Sequence, residues 1–553
     1  MPVAAVQNSR EAKRAGSWGK LLDSERAPAV LLGLMLVLYL SPLAWILVPP
    51  TQDGPSHLSI ANTLRHLLLH DRPRLERYFE INWFPEPNLV GHVVLSWLLG
   101  AVSPFAAEKI LFGSYVAALP LAAYYAIRSV NGRAPAWLVL LVVPFTWSKM
   151  MQVGFYNFCL SLPVFYVCLG YFIRAFPKLN AWRAALLGLL ILVLYFSHAM
   201  SVAMLFVAMA VMVPWMIFEG KRSGFWPRLA WLAAAWVPTA ALLAAFVYRY
   251  RGGESSYAVS LVERVMRLAV LSSLVTHRRI EIAGSMGLLL VFAVLTASYA
   301  AARIRPFKIE AGDVFLLLAG IFLAIFFVIP DVSSGGSAHT QRAELYPFLV
   351  LPLWFAAQPP LVRRKRTIAM GLAAAVALVL WGLNISQLRK IDTAVREYYS
   401  VASHIQPGKT LLPIVLDRYG HDAQGEPLSM RCQAFFQAAG RLNPVAGAIE
   451  LVNYQASSPG FVVRYRREVP DWTLLRPAQM WDKFGEELGR GELSGDPDYV
   501  LIYGWDPDRI KQNPDFRDIA PERVLESLEH GYVLEFVSSP EHAVRLYRRR
   551  ETV

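Results

Sequence analysis

About eleven stretches of this chain are apolar enough and long enough to cross a bilayer, at roughly 28–48, 107–127, 135–151, 155–175, 182–197, 199–218, 227–247, 282–302, 313–330, 343–360 and 367–387. Lipid offers no water to a backbone, so such stretches fold as helices that satisfy their own N–H and C=O groups. Composition agrees: the 553 residues are 55% hydrophobic and only 17% charged, with mean hydropathy +0.37. The net charge of +13 invites a nucleic-acid reading. The Lys and Arg fall mostly in short loops between apolar runs, however, which is the bias of cytoplasmic loops in membrane proteins. The expected fold class is therefore a polytopic α-helical membrane protein of about 11 spans plus interfacial helices, with a C-terminal extracytoplasmic α/β domain.

Loop charge gives an orientation. Arg363, Arg364, Lys365 and Arg366 form the strongest cytoplasmic signal. Counting spans back from it puts Arg303, Arg305 and Lys308 on the same side. Lys221, Arg222 and Arg228 follow, then Lys178 and Arg183, then Arg128 and Arg133. The polar N-terminal tail, 1–27, carries Arg10, Lys13, Arg14, Lys20 and Arg26 and lacks a cleavage signal, so it reads as cytoplasmic before an uncleaved span. All of this holds only if 89–104 does not cross. That run holds His92 and ends at Pro104, and reads as an interfacial or re-entrant helix. The alternative is an extra span, with one loop against the charge rule. The transmembrane domain, 28–387, then leaves its first external loop, 49–106, outside. The turn near 148–157, the turn at Ser197–His198, the loops 248–281 and 331–342, and the tail 388–553 lie on the same side.

The tail reads as a soluble α/β domain, with strand-like runs at Leu411–Leu416, Tyr499–Tyr503, Tyr532–Val537 and Val544–Tyr547 and helix-like stretches near 431–439 and 521–530. Three cysteines, Cys159, Cys168 and Cys432, make neither a disulfide framework nor a metal-ligand spacing.

The residue that asks for chemistry is Asp53, in the segment Val48-Pro49-Pro50-Thr51-Gln52-Asp53-Gly54-Pro55-Ser56-His57. Anchors at a span exit are Lys, Arg, Trp or Tyr, so an acid there is expected either to take a proton or to cap the helix that follows. Ser56 to His70 is an amphipathic surface helix, with Leu58, Ala61, Leu64, Leu67 and Leu68 on one face. Beyond it, Glu80, Glu86, Asn88 and His92 sit among aromatics and prolines. Glu80 and Glu86 are candidate auxiliary carboxylates or metal ligands. Gln152, Tyr156 and Asn157 sit at the mouth of two spans, placed either to bind sugar hydroxyls or to cap helices. His198 is a buried ionisable group or a hydrogen-bonded turn residue. Arg249, Arg251, Arg264, Arg267, Arg278 and Arg279 are basic yet external, which suits a lipid phosphate or a solvated amphipathic helix at 258–275. Arg342 opens a late span, either forking onto a phosphate or snorkelling beside Glu344.

Together these features resemble the GT-C glycosyltransferase superfamily, polytopic enzymes that use polyprenyl-phosphate-linked sugars, such as protein O-mannosyltransferases and aminoarabinose transferases. The resemblance rests on the basic tail before a first span, the acid opening the first loop (Asp53), surface helices after it, an Arg-x-x-x-Tyr-Pro pattern from Arg342 to Pro347, and the soluble tail. Many members carry two adjacent acids in that loop, whereas Gln52 and Gly54 flank Asp53 here. The resemblance implies an integral protein of a bacterial plasma membrane. Asp53 would be the base, with His57 beside it, and Arg342, with Arg249 and Arg251, would bind the lipid phosphate. Transfer would invert the anomeric centre, with a polyprenyl-phosphate sugar as donor and a glycan, lipid or protein as acceptor. Membrane lipid is the expected surrounding and nucleic acid is no partner; a divalent metal stays open. Two other readings remain: a lipid or glycolipid transporter or flippase, which calls for ionisable groups deep in several spans or for inverted repeats, and a non-catalytic assembly protein. A transferase expects Asp53, His57, Arg342 and the 80–88 carboxylates to converge.

Overall fold

The computed structural model describes residues 26–550 apart from 219–223, 252–255, 258, 302–308, 333–335, 423, 470–496, 507–527 and 530. The N-terminal tail through residue 25, the basic positions Lys221, Arg222, Arg303, Arg305 and Lys308, and most of the helix expected at 521–530 lie outside the described residues.

Among the described residues, eight helices are long and apolar enough to cross a membrane: Ala27–Trp45, Pro104–Val130, Tyr156–Lys178, Ala199–Ile217, Phe225–Arg249, Glu281–Ala301, Ala311–Val328 and Arg363–His404. Each matches one of the apolar runs. The other three runs take shorter or broken forms. The run at 182–197 is the 17-residue helix Ala181–Ser197, and that at 343–360 holds the 13-residue helix Leu345–Ala357. The run at 135–151 is no regular helix. It folds as two 3₁₀ segments, Ala136–Leu141 and Val143–Trp147, followed by the single turn Lys149–Gln152. It nevertheless passes from one end of the bundle to the other. Asn131, just before it, donates to the Ala356 carbonyl (3.0 Å), and Gln152 at its far end accepts from the Gln52 N–H (3.3 Å). Irregular backbone at that depth is tolerated only where protein encloses it, and every residue from Ala136 to Ser148 is buried. The tighter coil also gains about 2 Å per residue, so fewer residues reach across.

The segment 89–104 holds no helix long enough to cross a membrane. Its helix, Val90–Leu98, has 9 residues, about 13 Å at 1.5 Å each. The Leu89 N–H donates to Phe196 at the same bundle end where the next helix, Pro104–Val130, begins. Val93, Val94 and Trp97 are exposed, as an interfacial helix requires.

Basic loops gather at the opposite end. Arg128 donates to Ala134, Arg183 to Lys178 and Arg228 to Pro177.

The tail forms a five-stranded mixed sheet. In chain order its strands are β2 (Thr410–Val415), β3 (Ile449–Glu450), β5 (Tyr499–Tyr503), β6 (Tyr532–Val537) and β7 (Val544–Arg549), arranged β3-β2-β5-β7-β6. β2 runs parallel to β3 and β5; β7 is antiparallel to β5 and β6. Two further strands, β1 (Phe79–Ile81) and β4 (Val463–Tyr465), pair antiparallel, so the first loop and the tail share a ribbon. The helix expected at 431–439 is a run of turns leading to the 3₁₀ segment Ala438–Arg441.

The tail is no freely linked unit. The boundary expected at 387 falls inside one continuous helix, Arg363–Tyr399, which we call the rod. Its upper half buries Ile391, Val395 and Tyr398 against Leu411, Phe435, Leu501 and Val544 of the tail. Its lower half packs in the bundle, where the Ala377 carbonyl accepts from Tyr39 Oη (2.7 Å).

Candidate functional site

Two loops cross at Asp53. The Asp53 N–H donates to the Val153 carbonyl (2.9 Å), and the backbones approach so closely that a Cβ at Gly154 (φ 89°) would lie 2.5 Å from Gly54 N. Only glycine fits there. Pro49, Pro50 and Pro55 stiffen the strand of chain on either side.

Asp53 stands at the N-cap of helix Gly54–Leu69, where its carbonyl accepts from the His57 N–H (3.1 Å), but its carboxylate makes no capping hydrogen bond. The cap explains the backbone and leaves the side chain over. The carboxylate instead accepts from Gln52 Nε2 (3.3 Å) and from the Tyr454 hydroxyl, within electrostatic reach of Arg342. Asp53 is 6% exposed. Burial pushes its pKa up to about 6, against the pull of the Tyr454 and Gln52 hydrogen bonds and the Arg342 charge.

Tyr454 comes from the tail. It opens the short helix Tyr454–Ser457, which Asn453 caps by accepting from the Gln455 N–H. Gln455 Nε2 donates to Tyr454 Oη (3.1 Å), and Gln455 Oε1 lies 3.1 Å from His92 Nε2. The same His92 nitrogen meets His57 Nδ1 at 2.9 Å, while His92 Nδ1 donates to the Asn88 carbonyl (3.0 Å). A chain of polar side chains thus runs Asp53, Tyr454, Gln455, His92, His57. Burial holds both imidazoles below their ordinary range; they stay neutral at pH 7.

Arg342 lies in the turn His339–Ala343. Its guanidinium sits 4.3 Å from the Phe155 ring centre and 5.7 Å from that of Phe158, and its Nε has no hydrogen-bond partner among the described residues. Burial lowers its pKa to about 10, with Tyr454, Cys159 and Asp53 opposing, so it remains a cation. His198 lies within reach of this charge and accepts from the Met200 N–H (3.2 Å).

The other expected residues are placed differently. Glu80 pairs with Arg464 (2.8 Å) across the β1–β4 ribbon. Glu86 is buried among Tyr250 Oη (2.6 Å), Asn82 Nδ2 (3.4 Å) and Arg249 Nε (3.5 Å), and its Oε2 has no partner among the described residues. Burial raises its pKa against those three donors. Arg249 therefore serves Glu86 and Phe84, and Arg251 lies over the Tyr248 ring; neither joins the Arg342 group. Asn157 clasps the Gly91 N–H and the Asn88 carbonyl. Gln152 donates to Trp147, Thr276 and Asn384, and Tyr156 donates to Glu108 (2.5 Å). These amides and this phenol are spent on holding elements together. Among the described residues, no group of three His, Cys, Asp or Glu is placed to hold a metal ion.

What sequence reasoning missed is the tail's share. Arg441, 1% exposed, forms a bidentate pair with Glu108 (both 2.7 Å) and donates to the Pro49 carbonyl (2.7 Å). Ser56 donates to Gln437, Asn62 to Asn443 and Ser59 to Glu450. Glu108, an acid near the start of an apolar run, was the visible signal that a cation must come from elsewhere.

Fold and site together define a class: a polytopic helical protein whose long apolar helices carry an α/β cap, closed over a buried acid with an arginine in reach. No family model matches the chain, and no curated protein matches it.

Proposed function

We propose that the protein is a GT-C-type transferase that moves a sugar from a polyprenyl-phosphate donor to a hydroxyl acceptor at the extracytoplasmic face of the membrane. One observation carries the reading. Asp53 is a buried carboxylate excused from capping, raised by burial to about 6, and within electrostatic reach of the Arg342 cation.

The chemistry follows from those two groups. The acceptor hydroxyl hands its proton to an Asp53 oxygen as its own oxygen attacks the anomeric carbon. The bond from that carbon to the phosphate oxygen breaks, and its electron pair leaves on the lipid phosphate. Attack from the face opposite the leaving group inverts the centre. Arg342 stabilises the charge that grows on the phosphate. Tyr454 holds the Asp53 carboxylate in position through its hydroxyl. The cluster of basic loops at the end away from Asp53 supports an extracytoplasmic site by the charge rule.

The test is transfer from a radiolabelled polyprenyl-phosphate sugar in reconstituted membranes. Asp53→Asn is expected to abolish transfer while the protein keeps its thermal unfolding midpoint. Full turnover in that variant would remove Asp53 from the chemistry, and lipid movement across the bilayer without transfer would favour a flippase.

A further inference from the structure

The segment 458–462, Ser-Pro-Gly-Phe-Val, links helix Tyr454–Ser457 to β4 and forms no helix or strand of its own. It borders the site. The Phe461 ring meets His57, His92 and Tyr454 edge to face, with ring centres 6.4, 5.9 and 6.1 Å away. Phe461 thus walls one side of the polar chain that starts at Asp53, while Pro459, two residues back, is exposed.

The segment is fastened from the bundle and the first loop. Val462, at its far end, continues the β1–β4 ribbon by accepting from the Asn82 N–H (2.8 Å). Asn82 Nδ2 reaches the Phe461 carbonyl (3.1 Å) and the Pro459 carbonyl (3.2 Å). Tyr250, which follows the apolar helix Phe225–Arg249, brings its hydroxyl 2.9 Å from the Pro459 carbonyl and 2.6 Å from Glu86 Oε1. A phenol has one hydrogen, and both of these neighbours are acceptors. Glu86 has Arg249 Nε as its counter-charge 3.5 Å away. Its carboxylate is the closer acceptor, and a hydrogen bond to a charged group is about twice as strong as one to a neutral carbonyl. Glu86 therefore takes the Tyr250 hydrogen, which leaves Asn82 as the donor to Pro459 among the described residues. At the turn itself, a Cβ on Gly460 would meet no atom nearer than Tyr250 Oη, at 3.9 Å. Crowding does not call for glycine there; backbone freedom is what glycine supplies.

We propose that 458–461 is a flap beside Asp53 that peels outward to admit the acceptor, and that Glu86 keeps it free to open by drawing the Tyr250 hydrogen away from Pro459. Opening parts the side-chain hydrogen bonds to Pro459 and Phe461 and the three ring contacts. The β1–β4 ribbon and the helix Tyr454–Ser457 stay as they are. The acceptor's part rests on the transferase reading; the flap and its latch do not.

The experiment is chymotrypsin cleavage after Phe461, followed by mass spectrometry on the full-length protein in phosphatidylcholine nanodiscs at neutral pH. Glu86→Gln gives the phenol a neutral partner that can itself donate, so the hydrogen turns to Pro459. Cleavage should then slow about fivefold, the worth of one net hydrogen bond. Glu86→Met, which removes the competing acceptor outright, should slow it as well. Adding Tyr250→Phe to Glu86→Gln should return cleavage to the wild-type rate or faster. Equal rates in wild type and both Glu86 variants, or slowing that survives loss of the Tyr250 hydroxyl, overturns the latch. Wild-type protein that resists cleavage at Phe461 while it is cut elsewhere overturns the flap. The wall is read separately. Phe461→Ala should raise hydrolysis of a polyprenyl-phosphate sugar several-fold when no acceptor is present, and Phe461→Leu should not; no rise in Phe461→Ala removes Phe461 as the wall. A protein without any transfer activity fails the transferase reading and leaves cleavage to decide the flap.

Discussion

Asp53 carries two opposed influences, and their balance sets a pH dependence. Burial lifts the carboxyl to about 6, and the hydrogen bonds from Tyr454 and Gln52, with the Arg342 charge after them, pull it back. A base must be ionised to work, so transfer should rise with pH along a limb centred near 6. Replacing Arg342 removes one part of the downward pull, so in Arg342→Gln the limb should move to somewhat higher pH as turnover falls. A pH–rate profile of wild type and variant checks this; an unmoved limb would mean that Arg342 does not act on Asp53. At this scale the sequence showed the acid, the arginine and His57, because each is a polar residue set against apolar runs. It did not show Tyr454 or Gln455, which look ordinary in a polar tail and matter only through a contact about 400 positions away in the chain.

At the scale of elements, the apolar runs were legible because hydropathy follows local composition. Their internal form was not. Nothing in the composition of 135–151 separates a regular span from a tight, enclosed coil, since both are apolar and the choice falls to the neighbours. Strand ends in the tail were readable to within a residue or two, because β-branched and aromatic runs end at Gly, Pro and Asp. The docking of tail on bundle was hidden, since it depends on pairing one acid in a span with one arginine far away. Arg441→Met strands Glu108 as a buried unpaired charge, at a cost of about 3–5 kcal/mol. Thermal unfolding in detergent should show that loss, and adding Glu108→Gln should recover most of it. If the double variant is no better than the single one, the pair is not what holds these elements together.

For the molecule as a whole, Glu450 is a second pH-sensitive point. It is buried between the cap and helix Gly54–Leu69, accepting from Ser59 (2.9 Å) and Asn453 (3.0 Å), and its Oε1 has no partner among the described residues. Burial pushes its pKa up to about 8, which the Asn453 and Ser59 hydrogen bonds oppose. The folded state therefore holds a proton that the unfolded chain gives up near pH 4.5. Stability from this group is full at low pH and is lost as pH climbs through that window, by about 1.4 kcal/mol for each unit. Glu450→Gln keeps the neutral shape at every pH. Its unfolding midpoint should match wild type near pH 5 and exceed it near pH 8; parallel curves across that range would show that Glu450 does not titrate on unfolding.

The 37-residue rod sets how anything can arrive. A cap on a loose tether could lift and admit a guest from above. This one grows from the same unbroken coil that crosses the bundle, and a coil without a joint does not hinge. On the transferase reading, a lipid-borne donor would then reach Asp53 edgewise, in the plane of the membrane, which is the direction a greasy, water-shy molecule already travels.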